Sequence, residues 1–179
     1  MTIIATTNRL ELRKFSLSDA EGFYGLNEDP EVIKYTGDQA FRDITEARNF
    51  IEQYDHYEKW GYGRWSVYRK DDGSYLGFCG LKYSPEKEET DLGFRFFKKY
   101  WNKGYATEAA KAALKVGYED YQLLKVVGRA MKENLASHRV LQKLGMQKTL
   151  EFRENDAWWI QYEMMSEDYE NFSRRPAPE

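Results

Sequence analysis

The first third of the chain changes from an alternating pattern of apolar and polar residues to one with helical spacing. Residues 10–15 alternate, which is typical of a half-buried strand. Ser18 can cap a helix that runs to about Asn27, and two more helices are predicted over residues 31–35 and 43–60. This part of the chain is therefore predicted as one strand followed by three helices.

Three strand patterns follow in close succession. They cover residues 64–69, 74–81 and 91–97, and they are separated by polar turns at residues 70–73 and 84–89. Strands joined by such short turns pair antiparallel with their neighbours. We therefore expect a run of three antiparallel strands in the middle of the chain.

A crossover to a parallel strand is predicted next. Residues 104–118 form an alanine-rich segment with helical spacing, and residues 125–130 read as a strand. A strand that returns after a helix usually lies parallel to the strand before it. We therefore expect the strand over residues 125–130 to pair in parallel with the strand over residues 91–97.

The last part of the chain completes a single domain. A short helix is predicted over residues 137–144, followed by a hairpin over residues 148–164. The chain contains no internal repeat and no long linker. We expect an α/β fold with one domain over residues 7–167 and a C-terminal tail over residues 168–179 that frays at its end.

Composition excludes several classes of function. The net charge of −3 argues against sequence-independent binding of nucleic acids, and no apolar stretch is long enough to span a bilayer. The first residues lack a secretory leader, so we expect a cytoplasmic protein. Two histidines are too few for a histidine-based zinc site, and we expect no metal. The single cysteine, Cys79, lies in an apolar run and is predicted to be a packed thiol rather than a nucleophile.

The segment WNKGYATEA, residues 101–109, joins the last antiparallel strand to the alanine-rich helix. The start of a helix presents unpaired N–H groups and the positive end of the helix dipole. Phosphates bind there, and Gly104 and Ala106 are small enough to let a diphosphate approach the backbone. The sequence therefore predicts a ligand that carries phosphate groups.

Together with the segment NLASHRVLQKLG, residues 134–145, this motif resembles the GNAT acyl-CoA N-acyltransferases, in particular the Rim-type branch that acetylates ribosomal-protein amino termini. The resemblance covers residues 7–165. Trp101 stands where many GNAT enzymes carry Gln or Arg, which is usual in the Rim-type branch. The resemblance implies a GNAT fold with a mixed, mostly antiparallel, twisted sheet, flanking helices and a splayed central parallel strand pair.

The resemblance also implies a cosubstrate and a set of site residues. Acetyl-CoA is the expected acetyl donor. Its acetyl group is expected to pass directly to a primary amine, without an acyl-enzyme intermediate. Ser137 is expected to protonate the departing thiolate, because Leu141 occupies the position of the tyrosine that serves in many relatives. Asp91 is the expected base, and its alternative role is that of an ordinary exposed strand residue. The alternative role of Ser137 is that of a helix cap. The residues expected to bind acetyl-CoA are Phe94, Arg95, Phe96, Asn102, Lys103, Gly104, Tyr105, Ala106, Thr107 and Asn134.

The acceptor is left open between a protein amino terminus and a small amine, and a homodimer is one possible assembly. Its pocket is expected among the early helices and the last hairpin, with the candidates Tyr35, Asp38, Trp60, Tyr62, Trp158, Trp159 and Tyr162. One alternative function is a non-catalytic acetyl-CoA-binding or sensing module on the same fold. A nucleotide-binding protein is disfavoured, because the chain lacks the Gly-x-x-x-x-Gly-Lys-Ser/Thr motif.

Overall fold

A single eight-stranded sheet forms the centre of the computed structural model, which describes residues 2–174. The strands lie in the order β1-β2-β3-β4-β5-β6-β8-β7, and every neighbouring pair is antiparallel except β5 and β6. This confirms the predicted fold class. The strands are β1 Ile3–Thr6, β2 Leu10–Lys14, β3 Arg64–Arg69, β4 Tyr75–Ser84, β5 Glu89–Phe96, β6 Lys125–Met131, β7 Gln147–Glu154 and β8 Ala157–Met165.

Helices cover both faces of the sheet. Cys79 and Phe78 are successive residues of β4, so their side chains point to opposite faces. Cys79 lies in the larger core cluster with the alanines of α5, whereas Phe78 packs on a smaller cluster formed by α1 and α3. The helices are α1 Ala20–Glu28, α2 Pro30–Ile33, α3 Ile44–Glu52, α4 His56–Trp60, α5 Tyr105–Lys115, α6 Leu135–Lys143 and α7 Ser166–Ser173.

Two details of the predicted first helices are wrong. The helix predicted over residues 43–60 is broken between α3 and α4, where the hydroxyl of Tyr54 accepts a hydrogen bond of 2.6 Å from the N–H of Arg64 on β3. Ser16 caps the segment before α1 instead of Ser18, and the carboxylate of Asp19 accepts a bond from the N–H of Ser16. Both differences come from partners that local sequence spacing does not reveal.

The parallel pair β5–β6 is short. Its register joins Asp91 to Val127 and Leu92 to Gly128, and β5 then continues along β4 to Phe96 while β6 continues along β8. In the described residues, the two strands therefore part after Leu92 and leave a gap that opens towards the end of β5.

The last helix, α7, packs against the domain and spans the predicted boundary between domain and tail. The ring of Tyr169 stacks on that of Tyr118 with centroids 4.6 Å apart, and Phe172 lies against Gly145. Residues 175–179, the end of the predicted tail, lie outside the described residues. None of the described helices combines the length and apolarity needed to cross a bilayer.

Candidate active site

A cavity of about 660 Å³ opens where β5 and β6 part. Five of the residues that the sequence predicts for the site line it together, namely Asp91, Phe94, Arg95, Asn134 and Ser137. Phe96 is buried in the core, so any contact that it makes with a ligand is through its backbone. The remaining predicted residues, 102–107, lie beyond the end of β5 at the start of α5.

The start of α5 has the geometry of an anion site. Asn102 and Gly104 have φ angles of 59° and 79°, and Gly104 is the N-cap residue without a side-chain cap. The first helical bond runs from the N–H of Glu108 to the carbonyl of Gly104, so the amides of residues 105–107 have no intrahelical partner. Since the side chain of Tyr105 is buried, that residue offers only its amide.

The side chain of Arg9 stabilises this turn, a role that the sequence analysis did not identify. Its Nη1 donates a hydrogen bond of 3.0 Å to the carbonyl of Lys103, and its Nε donates one of 2.6 Å to the carboxylate of Glu108. The guanidinium carbon lies 4.4 Å from the ring centre of Tyr105. Burial acts to raise the pKa of Glu108, but the hydrogen bonds from Thr7 and Arg9 outweigh it and lower that pKa. Arg9 is about a hundred residues from its partners in sequence, and no local pattern points to it.

Asp91 is bound to a side chain of β3, which lies two strands away on the far side of β4. Its carboxylate lies 2.5 Å from Nη2 of Arg64, and Nη1 of Arg64 donates to the carbonyls of Gly80 and Asp91. The guanidinium covers Gly93, where a Cβ would lie only 2.9 Å from Nε of Arg64. Gly93 is therefore a glycine because a cation occupies the space above it, and the carboxylate of Asp91 is held in an ion pair.

Asn134 and Ser137 are placed by the first turn of α6. Asn134 is the N-cap residue, and its Oδ1 accepts a bond of 3.2 Å from the N–H of Ser137. Ser137 is thus not the cap that was its alternative role, and its hydroxyl has no hydrogen-bond partner in the described part of the chain. Leu141, one turn further along, is buried beside Gly128 on β6 and also lines the cavity.

Aromatic rings line the opposite wall of the cavity. Phe23 on α1 stacks with Phe50 on α3 at 5.2 Å between centroids and contacts Phe15 at 5.4 Å. Phe78 and Tyr54 complete this aromatic wall. Of the predicted acceptor-pocket residues, the cavity lining includes Tyr35, Asp38 and Trp159, while Trp60, Tyr62, Trp158 and Tyr162 lie elsewhere.

His56 also lines the cavity, although the sequence did not single it out. Its Nδ1 is buried and has no hydrogen-bond partner among the described residues. Burial, and then the charge of Lys82, lower the pKa of His56 below its ordinary value of 6.5. The imidazole is therefore neutral at neutral pH and able to accept a proton. A zinc site needs several histidines, whereas proton transfer needs only one, so the low number of histidines does not argue against this role.

Comparison with known proteins decides the family. The family model of the acetyltransferase (GNAT) domain matches residues 9–147, more than half of the chain. The chain belongs to the GNAT acetyltransferases. This GNAT chain is 31% identical over 164 residues to the Bacillus subtilis (strain 168) protein named uncharacterized N-acetyltransferase YnaD, covering 88% of this chain and 92% of that one.

Two solved structures show the same GNAT architecture. A GNAT-family acetyltransferase from Bacillus anthracis aligns with a TM-score of 0.77 and 29% identity, covering 93% of this chain and 99% of that one. RimL, a ribosomal L7/L12 α-N-protein acetyltransferase solved with coenzyme A, aligns with a TM-score of 0.75 over 91% of this chain and 97% of RimL. At 13% identity, the likeness to RimL shows the shared fold.

As a member of this family, the protein is an acetyl-CoA-dependent N-acetyltransferase, as the resemblance in its sequence implied. The residues present fit this cosubstrate. The uncapped amides at the start of α5 suit a diphosphate, and the gap between β5 and β6 offers unpaired strand edges beside it.

Proposed function

We propose that the enzyme transfers the acetyl group of acetyl-CoA directly to a primary amine, through a ternary complex in the cavity between β5 and β6. The observation that carries this proposal is the parting of these strands after Leu92, because the opening leads to a space that Asp91 and Ser137 share. The amine belongs to a protein terminus or to a small molecule. The α-N-protein activity in the name of RimL supports the first of these.

The start of α5 would bind the diphosphate. The amides of residues 102–107 supply the donors, and the left-handed turn at Gly104 keeps side chains out of their way. Lys103, which is exposed, adds positive charge. Arg9 stabilises the turn through the carbonyl of Lys103, so it acts as a positioning residue.

The edge of β5 would bind the pantetheine arm. The N–H of Phe97 donates a hydrogen bond to the carbonyl of Leu76 on β4. Because the backbone groups of successive strand residues point to alternate sides, those of Arg95 also face β4. Those of Phe94 and Phe96 therefore face the gap. The indole N–H of Trp101 donates a hydrogen bond of 2.7 Å to the carbonyl of Phe96. Phe94 is therefore the residue nearest the cavity whose backbone groups remain for the pantetheine arm. A backbone N–H at this edge is also suited to stabilise the oxyanion of the transition state.

Ser137 would act as the acid at the leaving sulfur. As the amine nitrogen bonds to the acetyl carbon and the carbon–sulfur bond breaks, the amine loses one proton and the sulfur gains one. The hydroxyl of Ser137 supplies the proton to the sulfur and is reprotonated from solvent. It suits this role because it lines the cavity and is not used in capping α6.

Asp91 remains the proposed base, acting through a water because its carboxylate is held by Arg64. His56 is a second candidate, because it is neutral and its Nδ1 lacks a partner within the described residues. Both side chains line the same cavity. The acidic limb of the pH–rate profile of Asp91→Asn and of His56→Gln distinguishes them, since only loss of the true base removes that limb.

Two measurements test the proposal. Saturating acetyl-CoA is expected to raise the melting temperature, and no stabilisation would contradict acetyl-CoA binding. A panel of primary amines, including peptides with free amino termini, is then assayed for release of the CoA thiol. Ser137→Ala is expected to lower kcat by about 100-fold or more with little change in the KM for acetyl-CoA. Binding without thiol release from any amine would instead favour the non-catalytic module.

A further inference from the structure

Two hydrogen-bond donors in the wall of the cavity have no acceptor. Nε of Arg95 and Nε1 of Trp159 are buried, and neither has a partner among the described residues. The side chain of Arg95 is only 10% exposed, and its other two nitrogens are bound to Asn27 and Asp38. Both orphaned groups are donors without acceptor capacity, so an oxygen from outside the described chain is needed to satisfy them.

The two donors lie at the same end of the cavity. The loop that follows α2 connects them, because Asp38 pairs with Arg95 while a Cβ at Gly37 would lie 3.6 Å from the indole of Trp159. Arg95 comes from β5 and Trp159 from β8, the two strands that lie on either side of β6. The two residues are therefore placed beside the gap and line the cavity, and their buried N–H groups become accessible to an acceptor through small side-chain movements.

An apolar surface adjoins these donors. Phe50 is 42% exposed although it packs on other rings, and the aromatic wall continues into a second cavity of about 270 Å³ lined by Phe23, Phe41 and Phe78. Arg95 and Asp38 line both cavities. An acceptor bound at the donors would thus have phenyl rings beside it that can cover an apolar group.

The cavity carries no excess of negative charge that would favour a polycationic acceptor, because Arg64, Arg95 and Arg129 are each paired with a carboxylate. The cavity is lined by four cationic side chains, Arg64, Lys82, Arg95 and Arg129, against the three carboxylates of Asp38, Asp55 and Asp91. Because Asp38 already neutralises Arg95, the free Nε needs an oxygen but not a second negative charge. A neutral carbonyl meets this requirement better than a carboxylate does.

We propose that the acceptor is an α-amino acyl compound with an apolar side chain, such as the amino-terminal residue of a peptide. Its first carbonyl oxygen accepts hydrogen bonds from Nε of Arg95 and Nε1 of Trp159, and its side chain lies on the aromatic wall. The α-amine then points towards Asp91 and Ser137, which line the same cavity. This assignment rests on the proposed acetyl transfer and adds the class of its acceptor.

Matched acceptors test the two contacts separately. Phenylalaninamide and phenethylamine share amine and ring, but only the first has a carbonyl; alaninamide keeps the carbonyl and lacks the ring. We compare kcat/KM from CoA thiol release, calculated on the concentration of free amine so that the different protonated fractions of the amines do not enter. Phenylalaninamide is expected to exceed each of the others by about tenfold or more. L-Phenylalanine and a phenylalanyl dipeptide then distinguish a carboxylate from a peptide carbonyl.

Neighbouring tryptophans provide a matched pair of variants. Trp159→Phe removes the Nε1 donor and keeps an aromatic ring, whereas Trp158 is 47% exposed near Lys132 and outside the cavity lining. Trp159→Phe is expected to reduce the phenylalaninamide to phenethylamine ratio by about fivefold to tenfold, and Trp158→Phe to leave that ratio unchanged. A ratio is insensitive to general loss of active enzyme, so a merely structural effect of the substitution would not change it.

The outcomes separate this inference from the proposed function. Equal kcat/KM for phenylalaninamide and phenethylamine, or a ratio that Trp159→Phe does not change, overturns the assignment while acetyl transfer stands. If phenylalaninamide releases no thiol, and also fails to raise the melting temperature of the enzyme saturated with CoA, the acceptor class is wrong. Absence of stabilisation by acetyl-CoA itself would overturn the proposed function instead.

Discussion

Replacing Arg9 with methionine tests whether the connection between β1 and β2 controls the phosphate turn. The substitution keeps the length of the side chain but removes its bonds to Glu108 and to the carbonyl of Lys103. The ion pair is partly exposed, 39% for Arg9 and 19% for Glu108. Charge-assisted hydrogen bonds contribute about 1.5–3 kcal/mol when shielded and exposed pairs less than about 1 kcal/mol, so we expect a loss of about 1–2 kcal/mol.

For a chain of this size, that loss corresponds to a fall in melting temperature of about 2–8 °C. Because the turn also loses an anchor, the KM for acetyl-CoA is expected to rise about fivefold, equivalent to about 1 kcal/mol. Arg153→Met is the control, since Arg153 pairs with the exposed Asp156 in the distant β7–β8 hairpin. Thermal melts with and without acetyl-CoA, together with initial rates, give both quantities.

The pKa of Glu108 predicts how the effect of Arg9→Met depends on pH. Its folded-state pKa is lowered, so the stability it contributes is present above its ordinary value of 4.5 and is lost as the pH falls through the folded-state pKa. The difference in melting temperature between wild type and Arg9→Met should therefore shrink below about pH 4.5. A variant as stable as Arg153→Met would refute the ion-pair estimate, and an unchanged KM would refute the coupling of Arg9 to the turn.

Three further predictions concern groups around the same cavity and core. Burial raises the pKa of the Cys79 thiol to about 12, so a thiol reagent at pH 8 should label denatured but not folded protein, and stoichiometric labelling of the native state would contradict this. Burial, followed by the charge of Lys82, lowers the pKa of His56, so the stability that it contributes above pH 6.5 is lost as the pH falls. His56→Gln should therefore give a flatter dependence of melting temperature on pH below about 6.5, and parallel curves would argue against this. Gly93→Ala should displace the guanidinium of Arg64 and lower the free energy of unfolding by about 1–3 kcal/mol, which an unchanged urea midpoint would exclude.

Local sequence signals were sufficient for most elements and for the turn that leads into α5. A strand, a small-residue turn and an alanine-rich helix are all encoded by neighbours, so the start of α5 could be predicted within a residue. β1 was missed because its strand is only four residues long and begins at Ile3, where an alternating pattern has little length to develop. The break between α3 and α4 was missed because its partner, Arg64, belongs to a strand formed later in the chain.

The electrostatic partners of the site could not be predicted in the same way. Asp91 was correctly placed on a strand, but its ion pair with Arg64 joins residues 27 positions apart, and the contact of Arg95 with Asp38 spans 57. Such pairs depend on how strands are ordered in the sheet and on which loop covers it, and hydrophobic periodicity carries neither. The parting of β5 and β6 was predicted from the resemblance to the GNAT family, since composition and residue spacing alone do not indicate it.

The brevity of the ladder between β5 and β6 also affects how the molecule can deform. Within the described residues, two half-sheets are joined by pairs at Asp91–Val127 and Leu92–Gly128, whereas neighbouring antiparallel pairs extend over seven or eight residues. Rotating one half against the other thus disturbs few backbone hydrogen bonds and leaves each half intact. The width of the opening is therefore held by the apolar core that the two half-sheets share, and not by the backbone ladder between them.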